Sequence, residues 1–346
     1  MLCALRAQLD RGTVILDAPS EVRHDTLSDV LSAVRVAGGM FFRARFSAPY
    51  AVSSPATSEL IAAYAPGAVY LLPFHLVTSG PMWFVVDGVR DPLCLETGDI
   101  LVVPRGASHH VTDEPGRPPI ALETISGRIE GTPPTLAWGG AGTLCEALCG
   151  FFQLDGRLFN PLLEALPDVF VVRHEEDEAG WMTSSLQRAY NELAEHRPGG
   201  AALVSRLTES LFVEVIQRYV RAQGSEGWFA ALRDPVAGPA LALIHAASAR
   251  HWSVEELASE VGVSRTVLAD RFTATVGQSP IRYLTSWRLE VAGQRLLDTH
   301  DSVAEVALAV GYESEAAFNR AFKRFTGQPP AAWRRAQRTA SSSLAG

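Results

Sequence analysis

The sequence predicts an α+β multidomain chain with three parts: a small β-barrel, a helical connector and an all-α domain of two helix-turn-helix units. Three observations carry this prediction. Short runs rich in Val, Phe, Leu and Ile, punctuated by Gly, Pro and Asp, fill residues 39–126. Leu203, Leu207, Leu211, Val215 and Tyr219 recur every fourth residue, an apolar helical stripe. The stretch "SRTVLADRFTATVGQSP" (264–280) returns fifty residues later as "SEAAFNRAFKRFTGQPP" (314–330).

At 346 residues and 47% hydrophobic content the chain can bury more than one core. Residues 1–25 show little pattern and read as an N-terminal extension. A first helix is expected over "TLSDVLSAVRV" (26–36), opened by a Thr-x-x-Asp start. The runs "MFFRARF", "AVYLLPF", "MWFVVDG", "DILVVP" and "IALETI" then read as strands of an antiparallel barrel, giving a domain over 26–130.

After "GTPPTLAWGGAG" the pattern turns helical, and 131–233 reads as a connector. Its apolar stripe has two readings, core against the barrel or an interface with a second copy of the chain. "RDPVAGP" breaks the chain again, before a final domain over 234–338 and a tail over 339–346.

The repeats match at Ser264/Ser314, Phe272/Phe322, Gly277/Gly327 and Pro280/Pro330. Upstream, Ala258 pairs with Ala307 and Gly262 with Gly311, so the second turn is one residue longer. Each unit is a helix with a small Ala at the crossing, a Gly turn, and a second helix capped by Ser. On a helical wheel Leu268, Phe272 and Val276 face inward, as do Phe318, Phe322 and Phe325. The outward faces carry Thr266, Ala269, Asp270 and Thr273 in the first unit and Ala316, Asn319, Arg320 and Lys323 in the second. Ser264, Arg265, Ser314 and Glu315 open the two helices.

Between the units, 281–299 can form a helix roughly 28 Å long, close to the spacing of successive major-groove faces. Charge supports the same reading. From residue 236 onward 12 basic and 10 acidic residues give +2, which leaves −10 of the chain's formal −8 on the first 235 residues. The last stretch holds Arg320, Lys323, Arg324, Arg334, Arg335 and Arg338 and no acid. A double-stranded DNA operator is the partner this asymmetry suits.

Residues 236–338, with "VAEVALAVGYESEAAFNRAFKRFTGQPPAAWR", resemble the DNA-binding domain of AraC/XylS-type transcription regulators. The resemblance implies a transcription factor whose front domain receives a signal, with RNA polymerase among its partners. It departs from the family in the weakly polar outward face of the first reading helix, which includes Asp270. "GDILVVPRGASHHV" (98–111) fits the second cupin motif, ending on His109, so the barrel resembles the cupin-like sensor of such regulators.

A metal cupin needs three or four converging ligands, yet His75 is followed by Leu76 and Val77 where a second His would be expected. No metal or other cofactor is therefore predicted, and no catalysis. The rival reading is a metal-dependent cupin enzyme fused to a DNA-targeting domain. Without metal, His75, Trp83 and His109 are expected to line a pocket for an uncharged or anionic small molecule.

Cys145 and Cys149 are spaced as helical neighbours, read either as buried apolar side chains or as oxidisable thiols. "LCG" resembles a Cys-Gly of redox-responsive relatives, which implies a thiol switch at Cys149. The four cysteines, Cys3 and Cys94 included, fit no disulfide framework or zinc pattern. With no signal-peptide run and no long apolar segment, the chain reads as cytoplasmic, away from the membrane.

Overall fold

A computed structural model describes residues 25–344 apart from 35, 65–69, 126–128, 131–132, 155–158, 177–179, 196 and 223–226. The expected extension up to residue 24, with Cys3, and the end of the expected tail lie outside the described residues.

Helix α1 (Thr26–Ala33) starts at the expected residue, with its cap one position before Thr26. Asp25 is the cap, its carboxylate accepting from the Leu27 N–H at 3.1 Å. The helix stops short of 36, because Val36 already opens strand β1 (Val36–Ser47). Twelve strands form two sheets among the described residues. The larger has the order β12-β6-β3-β11-β1-β10-β9, with β3 over Tyr70–Ser79, β6 over Ile100–Val102, β9 over Ile129–Glu130, β10 over Thr135–Gly139, β11 over Leu144–Leu154 and β12 over Phe170–Val172. The smaller has the order β5-β4-β7-β2-β8, with β2 over Ala51–Ser54, β4 over Met82–Val86, β5 over Leu93–Leu95, β7 over His109–Thr112 and β8 over Ile120–Ala121.

The barrel therefore does not end at residue 130. Strand β11 lies at the centre of the large sheet, antiparallel to both β1 and β3. Its Cys145, Ala147 and Cys149 face the barrel interior, while Leu148, Phe152 and Leu154 face a layer of helices. A strand covered on both sides loses its polar alternation and reads as a continuous apolar run. That is why "LCEALCGFF" looked helical, and why Cys145 and Cys149 are same-face neighbours on a strand instead of on a helix. Gly150 allows the close packing here, since a Cβ would press on the Phe74 ring at 2.6 Å. "IALETI" is mixed as well: after β8 it turns into a short helix at Leu122–Ile125.

The covering layer contains α5 (Trp181–Glu195) and α6 (Gly200–Ala222), numbered after α2 (Thr57–Tyr64), α3 (Leu122–Ile125) and α4 (Pro161–Ala165). Helix α6 carries the predicted stripe, and it packs on α5, β1 and β12. Leu211 and Val215 are buried there, whereas Leu203 at its start is exposed.

The final domain follows as α7 (Gly227–Arg233), α8 (Ala237–Ala246), α9 (Val254–Val261), α10 (Arg265–Val276), α11 (Pro280–Asp298), α12 (Val303–Ala309), α13 (Glu315–Thr326) and α14 (Pro330–Leu344). Helix α14 runs through the expected boundary at 338.

One hydrophobic core extends from Phe41 and Phe152 of the barrel through Phe212 to Phe272, Tyr283 and Trp287. The second helix-turn-helix unit has a core of its own around Phe318, Phe322 and Leu296.

Candidate nucleic-acid interface and sensor cavity

The two helix-turn-helix units start from the same local chemistry. Ser253 and Ser302 each make a capping box with a Glu three residues on, the hydroxyl accepting from the Glu N–H and the carboxylate accepting from the Ser N–H. This duplicated Ser-x-x-Glu was present in the sequence as a further signal of the repeat. Both turns use a left-handed glycine, Gly262 at φ +79° and Gly311 at φ +86°. Ser264 then accepts from Val267 N–H and Ser314 from Ala317 N–H, each at 3.3 Å.

Leu268, Phe272, Phe318 and Phe322 are fully buried, as the wheel requires. Val276 is only half-buried, and Phe325 departs from the expectation outright, being 37% exposed. Near the end of α13 it passes beyond the small second core. Thr266, Asp270, Thr273, Ala316, Arg320 and Lys323 are exposed, and Ala269 and Asn319 are half-buried beside them.

The basic residues divide by what they touch. Arg265 pairs with Glu255 at 2.9 Å, and Arg271 donates to the buried Asp234 at 2.6 Å. Hydrogen bonds from the Val236 and Ala237 N–H groups and from Arg271 hold the Asp234 carboxyl below its usual range, against the opposing effect of burial. Arg334 and Arg338 donate to backbone carbonyls at 297–301, just at and beyond the end of α11. Among the described residues, Arg320, Lys323 and Arg324 make no ion pair within the chain, so α13 presents its cations outward. Asn319 donates weakly to Glu315, at 3.4 Å.

In the barrel, His75 on β3 and His109 on β7 meet with Nε2 to Nε2 at 2.8 Å. Both rings are buried, and burial lowers both pKa values, that of His75 well below the usual range. They line a small cleft, partly open to solvent, with Phe42, Phe46, Met82, Phe84 and Cys149. Trp83 is not in it. Along β4 the side chains alternate, so Met82 and Phe84 point inward and Trp83 points to the other face. His110 is likewise on the face opposite His109.

The cleft does not fit a bound metal of the kind a metal cupin needs. Its two imidazoles are hydrogen-bonded to each other, no carboxylate lines it, and no cluster of three metal-ligating side chains occurs among the described residues. Cys149 lies opposite His75 in the strand ladder, and burial pushes its thiol pKa up.

A cupin-like barrel joined to two helix-turn-helix units defines a class, the DNA-binding regulators of transcription. Comparison with known proteins places the chain within it. A cupin model matches residues 25–221 and a helix-turn-helix domain model residues 257–336. The chain is 33% identical over 308 residues to an AraC-like transcription regulator of Streptomyces lividans, covering 88% of this chain and 93% of that one. It is 34% identical over 271 residues to another from Streptomyces antibioticus, covering 78% and 88%. It is 29% identical over 266 residues to the regulator AlkR of Acinetobacter baylyi, covering 75% and 86%. The chain belongs to the AraC family of transcription regulators.

Proposed function

We propose that this regulator binds an operator through the outward faces of α10 and α13 and is controlled by a small apolar molecule held in the barrel cleft. The observation that carries the reading is the single core running from the barrel to the first reading helix. Strand β1 lines the cleft with Phe42 and Phe46, while Phe41 packs into that core. A change in the cleft therefore acts on side chains packed in series with α10.

On this reading Thr266, Ala269, Asp270 and Thr273 face one stretch of major groove and Ala316, Asn319, Arg320 and Lys323 the next, with Ser264, Arg265, Ser314 and Glu315 at the helix starts. Asn319 suits adenine, and Arg320 suits guanine or phosphate. The regulator works in the cytoplasm, with RNA polymerase and a second copy of the chain as further partners. No described helix is long and apolar enough to cross a membrane.

A small-molecule signal is favoured over oxidation of Cys149, because a thiol is a nucleophile only as thiolate and burial opposes that form. That these relatives are transcription regulators favours regulation over catalysis.

The test is a titration at fixed salt with the intergenic DNA beside the gene and with random DNA. Specific binding is expected to be tighter by roughly a thousandfold or more. Arg320→Ala should cost about 1–3 kcal/mol of it. Equal affinity for both DNAs would remove the operator reading.

A further inference from the structure

The polar end of the cleft specifies the chemistry of its occupant, an inference that rests on reading the cleft as the ligand site. The Nδ1 of His109 lies 3.0 Å from the Ala107 carbonyl oxygen. A carbonyl only accepts, so His109 carries its proton on Nδ1 and offers Nε2 as a lone pair. The Nε2 of His75, 2.8 Å away, must then be the donor, which leaves His75 Nδ1 as an acceptor.

The tautomers of both rings are thus set by one backbone carbonyl. The described residues provide no hydrogen-bond donor for that last nitrogen, and His75 lines the cleft. The remaining wall is mostly aromatic or aliphatic around Phe42, Phe46, Met82 and Phe84; Ser53, whose hydroxyl donates to the Ile120 carbonyl at 3.2 Å, Ser54 and Cys149 are its other polar side chains, and no lysine or arginine lines it among the described residues. A carboxylate placed there would lose its hydration with no cation to replace it.

We propose that the barrel cleft selects a neutral, largely apolar molecule bearing a hydroxyl, an alcohol or a phenol, whose O–H donates to His75. The paired imidazoles form a relay of fixed polarity: the Ala107 carbonyl holds His109, His109 holds His75, and His75 accepts from the ligand. An anionic ligand, left open by the sequence, is disfavoured by the same wall.

The test uses naphthalene, 2-naphthol and 2-naphthoate with the full chain at pH 8, the affinities being measured by calorimetry. Naphthol should bind roughly threefold to tenfold more tightly than naphthalene, the worth of one net hydrogen bond. Naphthoate should bind most weakly. In His75→Phe the order of naphthol and naphthalene should reverse, because the hydroxyl is then buried without a partner. Naphthalene binding itself reports an intact cleft in that variant. His75→Gln, which keeps an acceptor, should retain part of the preference and serves if the Phe variant fails to fold.

Naphthol binding no better than naphthalene in the wild type overturns the inference and leaves the ligand-site reading standing. So does an unchanged preference in the intact His75→Phe variant, or naphthoate binding tightest. Failure of all three to bind would remove the ligand-site reading, and the inference with it.

Discussion

The two helix-turn-helix units are near copies in sequence and in local chemistry, yet they are attached to the molecule in different ways. The first buries Leu268 and Phe272 in the core that continues into the barrel, and Arg271 ties it to Asp234 at the start of that domain. The second is closed around Phe318, Phe322 and Trp333 and is joined to the rest through α11. Their charges differ in the same sense. Arg265 and Arg271 of the first are paired within the chain, while Arg320 and Lys323 of the second face outward. Duplication has therefore left two differently attached units: one is packed into the core that continues into the barrel, and the other carries outward cations that make no ion pair among the described residues.

The largest expected effect comes from emptying each core. Phe272→Ala and Phe322→Ala should each cost about 3–5 kcal/mol. What separates them is the reach of the damage. With Phe272 removed, hydrogen exchange should accelerate in α5 and α6 as well as α10, because one core links them. With Phe322 removed, acceleration should stay within residues 303–344. If both variants loosened the barrel helices equally, the two units would be one cooperative body and the comparison would fail.

A smaller effect tests the contact between the front domain and the first unit. His245 on α8 is buried, with Nε2 2.9 Å from the Tyr283 hydroxyl and Nδ1 3.7 Å from a carboxylate oxygen of Asp29 on α1. The Trp228 indole N–H donates to the same hydroxyl, so Tyr283 can give its own proton to His245. Burial lowers the His245 pKa to about 3.

The unfolded value is near 6.5. Because the folded value is the lower one, the unfolded chain binds more protons between them. The stability this neutral imidazole preserves is present above about pH 6.5 and is lost as pH falls toward the folded value. His75 and His109 act in the same direction, so the measurement is a difference: His245→Phe should lose less stability between pH 7 and pH 5 than the wild type in chemical denaturation. An equal loss would show that α8 is not where acid loosens the first unit.

How much of this was legible in the sequence depended on what each pattern encodes. The repeat was legible because Ser caps, Gly turns and inward Phe residues are local requirements, read from neighbours along the chain. The pair His75 and His109 was found from its motif. Trp83 was misplaced, since an aromatic close to a motif says nothing about which face of a strand it occupies. The end of the barrel was missed because β11 is covered by helices on one side, a tertiary fact that erases alternation. Phe325 failed for a related reason: helical angle gives a direction, but the core must extend far enough to meet it. Charge counting found the basic C-terminus without distinguishing Arg334 and Arg338, which serve backbone carbonyls, from Arg320 and Lys323, which face outward.

That last distinction leads to the finest test of the comparison. Each phosphate contact adds close to one unit to the slope of log affinity against log salt. Replacing Arg320 and Lys323 together by neutral residues should flatten the slope by about two units if both grip phosphate. Asp270→Asn removes a like charge from the first reading helix, so it should leave the slope nearly unchanged or steepen it slightly. Should Asp270 instead accept from a cytosine amino group, its loss would change sequence preference, and specific and random DNA would respond differently. Both variants are measured over a range of salt on both DNAs. A flattened slope in Asp270→Asn with none in the double variant would mean that the phosphate-gripping helix is α10. The paired arginines Arg265 and Arg271 would then have to leave Glu255 and Asp234 on binding, and replacing either acid by its amide should strengthen attachment to random DNA. Unchanged attachment in those amide variants would remove Arg265 and Arg271 as the gripping cations as well.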